Sequence, residues 1–185
     1  MVKKFTIYDL VMIGLMTALI CVVSPFSIPL VFSPVPITMA SYIICLAAMV
    51  LGPLKGTLSC LMYLFLGAIG LPVFSGFSGG IHRLVGPTGG YLIGYLLMAF
   101  IAGRITKKYH RKWYLCLSGL LVGVFCCYVM GTIWLCLQLQ LSAWNGLCLG
   151  VFPYIPADII KMVLATFTGI PIRRTLYKNI ILHNT

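Results

Sequence analysis

Two ionisable residues in an apolar segment are the first sign of chemistry in this sequence. Asp158 and Lys161 lie within residues 156–172, and their spacing of three places both on one face of a helix. An ionisable side chain inside an apolar segment of membrane length predicts a functional site. If the pair faces an opening, it should bind a polar ligand that has both an N–H donor and a carboxylate. The alternative is an internal ion pair that only holds the helices together.

A glycine-rich segment is the second candidate. Residues 67–94 contain nine of the 19 glycines, and glycine lets a loop turn tightly and approach a ligand closely. Irregular backbone at membrane depth is tolerated where it lines a cavity. The segment is therefore expected to form part of a binding site, the alternative being a flexible outer loop. Three aromatic residues are expected to form apolar walls around a ligand: Phe74, Phe77 and Tyr91. Two glycines, Gly79 and Gly90, are also expected to contact it.

No catalytic or metal site is predicted. The chain has two acidic residues, Asp9 and Asp158, which lie in different predicted helices at opposite ends of the sequence and form no recognisable pair of catalytic carboxylates. Residues 76–79 read Gly-Phe-Ser-Gly, as around the nucleophile of intramembrane serine proteases, but His82 lies in the same loop and the other histidines lie in cytoplasmic segments. The eight cysteines form no C-x-x-C motif, and most lie in apolar runs where cysteine acts as a small hydrophobic residue.

The composition indicates the class of protein in which these residues lie. Apolar residues make up 61% of the chain and charged residues 8%, against roughly 25% charged residues in soluble domains. This balance excludes a disordered chain and favours a membrane protein. The net charge of +11 would suggest nucleic acid in a soluble protein, so the positions of the cations decide between the two interpretations.

Six apolar segments approach the length that a membrane-spanning helix requires, roughly 17–25 residues. They cover residues 8–23, 37–51, 57–71, 89–103, 113–137 and 156–172. We expect an all-α integral membrane protein, a compact bundle of six transmembrane helices with both termini in the cytoplasm. Residues 1–185 would form a single membrane domain, because no segment is long enough for a separate soluble domain.

The cations follow this topology. Eleven of the 13 Lys and Arg residues fall in segments that would be cytoplasmic: Lys3, Lys4, Lys55, Arg104, Lys107, Lys108, Arg111, Lys112, Arg173, Arg174 and Lys178. The positive-inside rule predicts this distribution, so the basic composition reflects topology and nucleic acid is not an expected partner. Arg83, in the outer connection between the third and fourth helices, and Lys161 are the exceptions.

Pairs of small residues four positions apart can allow close packing of helices. Gly14 and Ala18 form such a pair in the first predicted helix, and Gly90 and Gly94 form another in the fourth.

Three strings together resemble the BioY family, the biotin-binding S components of prokaryotic energy-coupling factor (ECF) transporters. The strings are Leu71-Pro72-Val73-Phe74, Gly86-Pro87-Thr88-Gly89-Gly90-Tyr91-Leu92-Ile93-Gly94 and Pro156-Ala157-Asp158-Ile159-Ile160-Lys161. The similarity extends over essentially the whole chain, including its length and predicted topology. Two departures are Gly14-x-x-x-Ala18 in place of the family's Ala-x-x-x-Ala motif, and His82-Arg83 in place of what is often a smaller pair.

The resemblance implies a binding subunit in the prokaryotic cell membrane that transports biotin without an enzymatic activity or a cofactor. Its partners would be a transmembrane coupling subunit, docked through Gly14 and Ala18, and two ATPase subunits. Asp158 would accept hydrogen bonds from the ureido ring of biotin, and Lys161 or Arg83 would bind the valerate carboxylate. The apolar bicycle and chain would pack on the aromatic residues named above.

Two other functions remain open. One is an S component for another small vitamin, such as thiamine or riboflavin, although those families lack the string at residues 86–92. The other is a small membrane enzyme acting on a lipid, in which only Asp158 could act as a carboxylate base.

Overall fold

The chain folds into a bundle of helices with one short hairpin near its beginning. The computed structural model describes residues 6–109 and 112–183, with side chains up to residue 176. In this part of the chain the helices are α1 (Ile7–Val23), α2 (Ala40–Leu51), α3 (Pro53–Ala68), α4 (Ile81–Val85), α5 (Gly89–Lys108), α6 (Trp113–Leu139), α7 (Ala143–Gly150) and α8 (Ile155–His183). The strands are β1 (Ser27–Leu30) and β2 (Ser33–Thr38).

Each of the six predicted segments contains a helix, and the short helices α4 and α7 are additional. Among the described residues, α5, α6 and the Ile155–Leu176 part of α8 are long and apolar enough to cross a membrane, whereas α1 and α2 are shorter apolar helices. The structure thus agrees with a mostly helical fold with apolar spans. Lys3, Lys4 and Arg111, which the topology argument used, lie outside the described residues, as does the side chain of Lys178.

The hairpin corrects the expectation of a purely helical chain. The strands pair antiparallel, with Ser27 opposite Thr38 and Leu30 opposite Ser33. Because residues 33–38 are extended, α2 begins at Ala40 and not at the predicted 37. Proline at three positions of the hairpin disfavours helix but is compatible with a two-stranded ribbon, in which both strands are edges: Pro29, Pro34 and Pro36.

Small residues bring the helices close together. A Cβ atom on Gly90 would lie 2.2 Å from the Cβ of Trp134, and one on Gly94 would lie 3.0 Å from the Sγ of Cys127, so both glycines face α6. The predicted small pair of α5 therefore serves packing against α6. Gly52 alone joins α2 to α3, at a φ of +84° that favours glycine. Four cysteines are buried in the helix packing, consistent with their expected role as small apolar residues: Cys45, Cys60, Cys116 and Cys127.

Candidate ligand-binding site

Two adjoining cavities lie beside β2 and α5. The inner one is also lined by α2, α6 and α8, and the outer one by α4 and residues 74–78. The inner cavity, which reaches Asp158 and Lys161, encloses about 450 Å³, and the outer cavity, which reaches Arg83, encloses about 410 Å³; both volumes include space open to solvent. The two cavities have five residues in common: Val35, Pro36, Thr38, Tyr91 and Tyr95.

Helix α8 carries the charged pair of the inner cavity. The helix begins at Ile155, and the N–H of Asp158 donates to the carbonyl of Tyr154 at 2.8 Å, so the carboxylate lies in the first turn. A helix N-terminus favours a negative charge. Lys161 follows after three residues, and its Nζ lies 2.8 Å from Oδ1 of Asp158. Both side chains are buried, as the sequence predicts for a pair on one face inside the bundle.

The ion pair belongs to a network that draws on four parts of the chain. Lys161 Nζ also donates to the carbonyl of Thr38 at 2.8 Å and to Oγ of Ser41 at 3.4 Å. Ser41 in turn donates to Oδ1 of Asp158 at 3.4 Å, and the hydroxyl of Tyr128 donates to Oδ2 at 2.5 Å. An ammonium group has three donors, and all three of those of Lys161 have partners within the protein.

Two tyrosines fix the walls around this network. The hydroxyl of Tyr91 donates to the carbonyl of Gly150 at 3.0 Å and lies 3.3 Å from Oγ1 of Thr132. The hydroxyl of Tyr154 contacts the carbonyl of Val35 and Oγ of Ser33. These bonds tie α5 to the end of α7 and tie the hairpin to the start of α8, so both rings have fixed positions beside the cavities.

The outer cavity combines apolar and polar groups from the glycine-rich segment. Phe74 and Leu92 supply apolar surface, and Arg83 on α4 supplies a cation. Within the described residues, the guanidinium of Arg83 forms no hydrogen bond or ion pair. Its short helix is held by α6, because Nε1 of Trp134 donates to the carbonyl of Gly86 at 3.0 Å and Nε2 of Gln138 donates to the carbonyl of Val85 at 2.9 Å.

The structure brings five of the predicted contact residues to the cavities and leaves three outside their walls. Asp158, Lys161, Tyr91, Phe74 and Arg83 line one or both cavities. Phe77 is exposed and packs edge-on against Phe26, with 5.5 Å between ring centroids. Gly79 lies against the chain, since a Cβ there would be 2.2 Å from the carbonyl oxygen of Leu71. Gly90, as described above, packs on α6.

Sequence reasoning missed five polar residues of the inner cavity: Thr38, Ser41, Tyr95, Tyr128 and Tyr154. Tyr95 had a usable signal, because it follows the predicted Tyr91 by four residues and so shares its helix face. Tyr154 likewise lies four residues before Asp158. The other three approach Asp158 or Lys161 from distant parts of the chain, and no local pattern marks them.

The small pair of α1 lies on an open surface. Gly14 and Ala18 are both exposed, and a Cβ atom added to Gly14 would meet nothing within 4 Å. Among the described residues, nothing therefore covers this face, which we call the α1 docking face.

Comparisons with known proteins give consistent results. A sequence model of the BioY family matches residues 1–178. The biotin transporter BioY of Thermotoga maritima is 40% identical over 90% of this chain and 96% of its own length, and the biotin transporter BioY2 of Lactococcus lactis is 36% identical over 92% of each. The crystal structure of the S component for biotin from an ECF-type ABC transporter superposes with a TM-score of 0.86, at 33% identity, over 92% of this chain and 95% of that one.

Proposed function

The chain belongs to the BioY family, and we propose on that premise that it binds biotin and carries it into the cell as the substrate-specific subunit of an ECF transporter. The observation that carries the proposal is the pair of adjoining cavities: the inner one reaches a buried ion pair, and the outer one reaches an arginine that has no partner among the described residues. The protein is a transporter subunit and not an enzyme.

Biotin has a polar ring system at one end and a carboxylate at the other, and this matches the order of groups along the cavities. Asp158 accepts three hydrogen bonds from the protein, and a carboxylate has about four acceptor sites, so one remains for a ureido N–H. The fused rings would pack against apolar side chains of the inner cavity: Met98, Val124 and Cys127. The valerate chain would run past Phe74 and Leu92 towards Arg83.

Arg83 is the better partner for the carboxylate of biotin. The three donors of Lys161 are already used by Thr38, Ser41 and Asp158, and a carboxylate would have to replace one of them. Arg83 offers a guanidinium fork that matches a carboxylate with two parallel hydrogen bonds. Lys161 would then orient Asp158 and maintain the charge balance of the inner cavity.

Six crossings of the membrane, with both termini in the cytoplasm, complete the proposal. α2 has 12 residues and spans roughly 18 Å at about 1.5 Å per residue, too little for a hydrocarbon core of about 30 Å. The extended strand β2 leads directly into it, so strand and helix together supply the missing length. Non-helical backbone at that depth is tolerated where it lines a cavity, and β2 lines both cavities.

The partners follow from the same assignment. The sequence contains no phosphate-binding loop, so the energy for uptake would come from partner subunits or from the gradient of the vitamin. We place the protein, as a single membrane domain, in a prokaryotic cell membrane, with a transmembrane coupling subunit on the α1 docking face and two ATPase subunits beyond it.

Binding of labelled biotin to the purified chain tests the proposal. Saturable binding that excess unlabelled biotin abolishes is expected, and no binding would overturn the function. Binding of another vitamin such as thiamine or riboflavin in its place would assign the chain to a different class of S component.

A second measurement tests the position of the carboxylate. Arg83→Gln should weaken biotin binding by about 10- to 150-fold, because a hydrogen bond to a charged group contributes about 1.5–3 kcal/mol. The affinity for biotinamide, which has no carboxylate, should barely change. Arg104→Gln, at an exposed arginine near the end of α5, is the control and should alter neither affinity. If Lys161→Met and not Arg83→Gln removes the preference for biotin over its amide, the carboxylate lies at Lys161.

A further inference from the structure

Tyr95 has a polar group without a partner in the wall between the two cavities. Its side chain is 8% exposed and lines both cavities. Among the described residues its hydroxyl forms no hydrogen bond, yet no side-chain oxygen or nitrogen is both fully enclosed and unpaired. The hydroxyl oxygen of Tyr95 is therefore not fully enclosed, and the residue that carries it lines both cavities.

The other polar side chains of the inner cavity differ from Tyr95 in this respect. Asp158, Lys161, Tyr91, Tyr128 and Tyr154 all form hydrogen bonds with protein groups. Buried polar groups in proteins nearly always have a partner. Tyr95 is a nine-tenths buried side chain whose hydroxyl has no partner among the described residues, so a molecule bound in the cavities can supply one.

The register of α5 places Tyr95 along the path of the ligand. Thr88 and Leu92 line only the outer cavity, Tyr91 and Tyr95 line both, and Met98 lines only the inner cavity. Each step of three or four residues advances by about one turn of helix. Tyr95 is therefore the deeper of the two shared tyrosines and lies one turn from the inner cavity's own residue Met98.

The proposed function supplies the group that Tyr95 would meet. The ureido ring of biotin has two N–H donors and one carbonyl acceptor, and Asp158 can accept only from the donors. The carbonyl needs a donor, while the donors of Lys161 are occupied and the hydroxyl of Tyr128 already donates to Asp158. We propose that the Tyr95 hydroxyl donates a hydrogen bond to the ureido oxygen of biotin and thereby makes Tyr95 a specificity-determining residue of the site.

Tyr95→Phe removes this hydroxyl and keeps the ring. We expect biotin affinity to fall by about 2- to 12-fold, the value of one neutral hydrogen bond, while the thermal unfolding midpoint of the ligand-free protein stays the same or rises, because an unpaired buried hydroxyl is lost. The ligand 2-thiobiotin, in which sulfur replaces the ureido oxygen, is a poorer acceptor. The wild type should prefer biotin over 2-thiobiotin, and Tyr95→Phe should reduce this preference by the same factor by which it weakens biotin binding.

Tyr63→Phe is the matched control. Tyr63 is also buried, but its hydroxyl shares a hydrogen bond of 2.6 Å with Ser24 and lines neither cavity. This variant should lower the unfolding midpoint of the ligand-free protein and leave both affinities unchanged.

Three results would overturn the role of Tyr95. They are an unchanged biotin affinity in Tyr95→Phe, an equal loss of affinity for biotin and 2-thiobiotin, and a loss accompanied by a lower unfolding midpoint as in Tyr63→Phe. The proposal depends on biotin being the ligand, so a wild-type protein that binds no biotin would overturn the function as well. If the wild type binds biotin and Tyr95→Phe binds it equally well, only the tyrosine contact is overturned and the proposed function stands.

Discussion

Lys161 is buried in the bundle, and acceptors from three parts of the chain surround its ammonium group. Thr38 ends β2, Ser41 lies in the first turn of α2, and Asp158 lies in the first turn of α8. An ion pair removed from water stabilises a fold only when its remaining donors and acceptors are satisfied, and the loss of one partner leaves an unpaired charge. The geometry of this pair therefore depends on both charges being present.

Substitution of the pair separates binding from folding. Asp158→Asn should weaken biotin binding by about 10- to 150-fold, because it removes the charged acceptor of the ureido N–H, worth about 1.5–3 kcal/mol. Lys161→Met should also weaken binding, because Asp158 loses the ammonium group that orients it. The double variant removes both charges, so we expect a folded protein that binds no biotin. Isothermal titration and thermal unfolding in detergent measure the two effects.

The control for this series is Lys55→Met. Lys55 pairs with Asp9 near the start of α1, away from both cavities, and its loss should leave biotin affinity unchanged. Retained binding in the double variant would reduce the inner pair to a structural role.

At the scale of single residues, sequence reasoning finds charges and misses hydroxyl groups. Asp158, Lys161 and Arg83 are conspicuous because charges are rare in this chain, and the structure places all three at the cavities. Ser41 and Tyr128 contact Asp158 across 117 and 30 positions. A hydroxyl in an apolar helix has no local signature, so only the packing of helices identifies these contacts.

At the scale of elements, hydropathy predicts the helices but not the hairpin. A long apolar segment indicates a helix through its own composition, as in α6 (Trp113–Leu139). The hairpin is defined by hydrogen bonds between residues up to 11 positions apart, such as Ser27 and Thr38. Its prolines disfavour helix but do not indicate which segment pairs with which, so the sequence indicates only an irregular connection.

Arg173 joins the ends of two helices and gives a test at this scale. Its Nη1 donates to the carbonyl of Met49 at 2.9 Å and to the carbonyl of Thr106 at 3.4 Å, in the last turns of α2 and α5. The residue four positions after Met49 is Pro53, which has no N–H to offer. Arg173 thus donates to the carbonyl of Met49, to which α2 and the residue that follows it offer no N–H.

Arg173→Met should lower the thermal unfolding midpoint in detergent, because an unpaired buried acceptor costs about 1–3 kcal/mol. Arg174→Met changes the adjacent exposed arginine and should alter stability by no more than about 0.5 kcal/mol. Both variants should bind biotin normally at temperatures where they are folded. Equal midpoints for the two variants would contradict the role of Arg173.

At the scale of the whole molecule, the α1 docking face gives a test of assembly. Gly14 and Ala18 are exposed and leave room for the close approach of a partner helix. Gly14→Leu combined with Ala18→Leu should reduce biotin uptake by cells to the level seen without the coupling subunit, while the purified variant binds biotin normally. Ser118→Leu places the same bulky side chain at an exposed small residue of α6 and should leave uptake unchanged. Loss of binding together with uptake would assign the pair to the internal fold.

The orientation of the whole chain can be tested at the two ends of α6. Lys108 ends α5 just before α6, and Gln140 follows the last residue of α6. The 27 residues of α6 span roughly 40 Å at about 1.5 Å per residue, more than a hydrocarbon core of about 30 Å. The cations near Lys108 predict that this end is cytoplasmic.

In intact cells, a membrane-impermeant maleimide should label Gln140→Cys above the background of the eight native cysteines and should label Lys108→Cys only after the cells are opened. Labelling of position 108 in intact cells would reverse the orientation, and labelling of both positions there would mean that α6 does not cross the membrane.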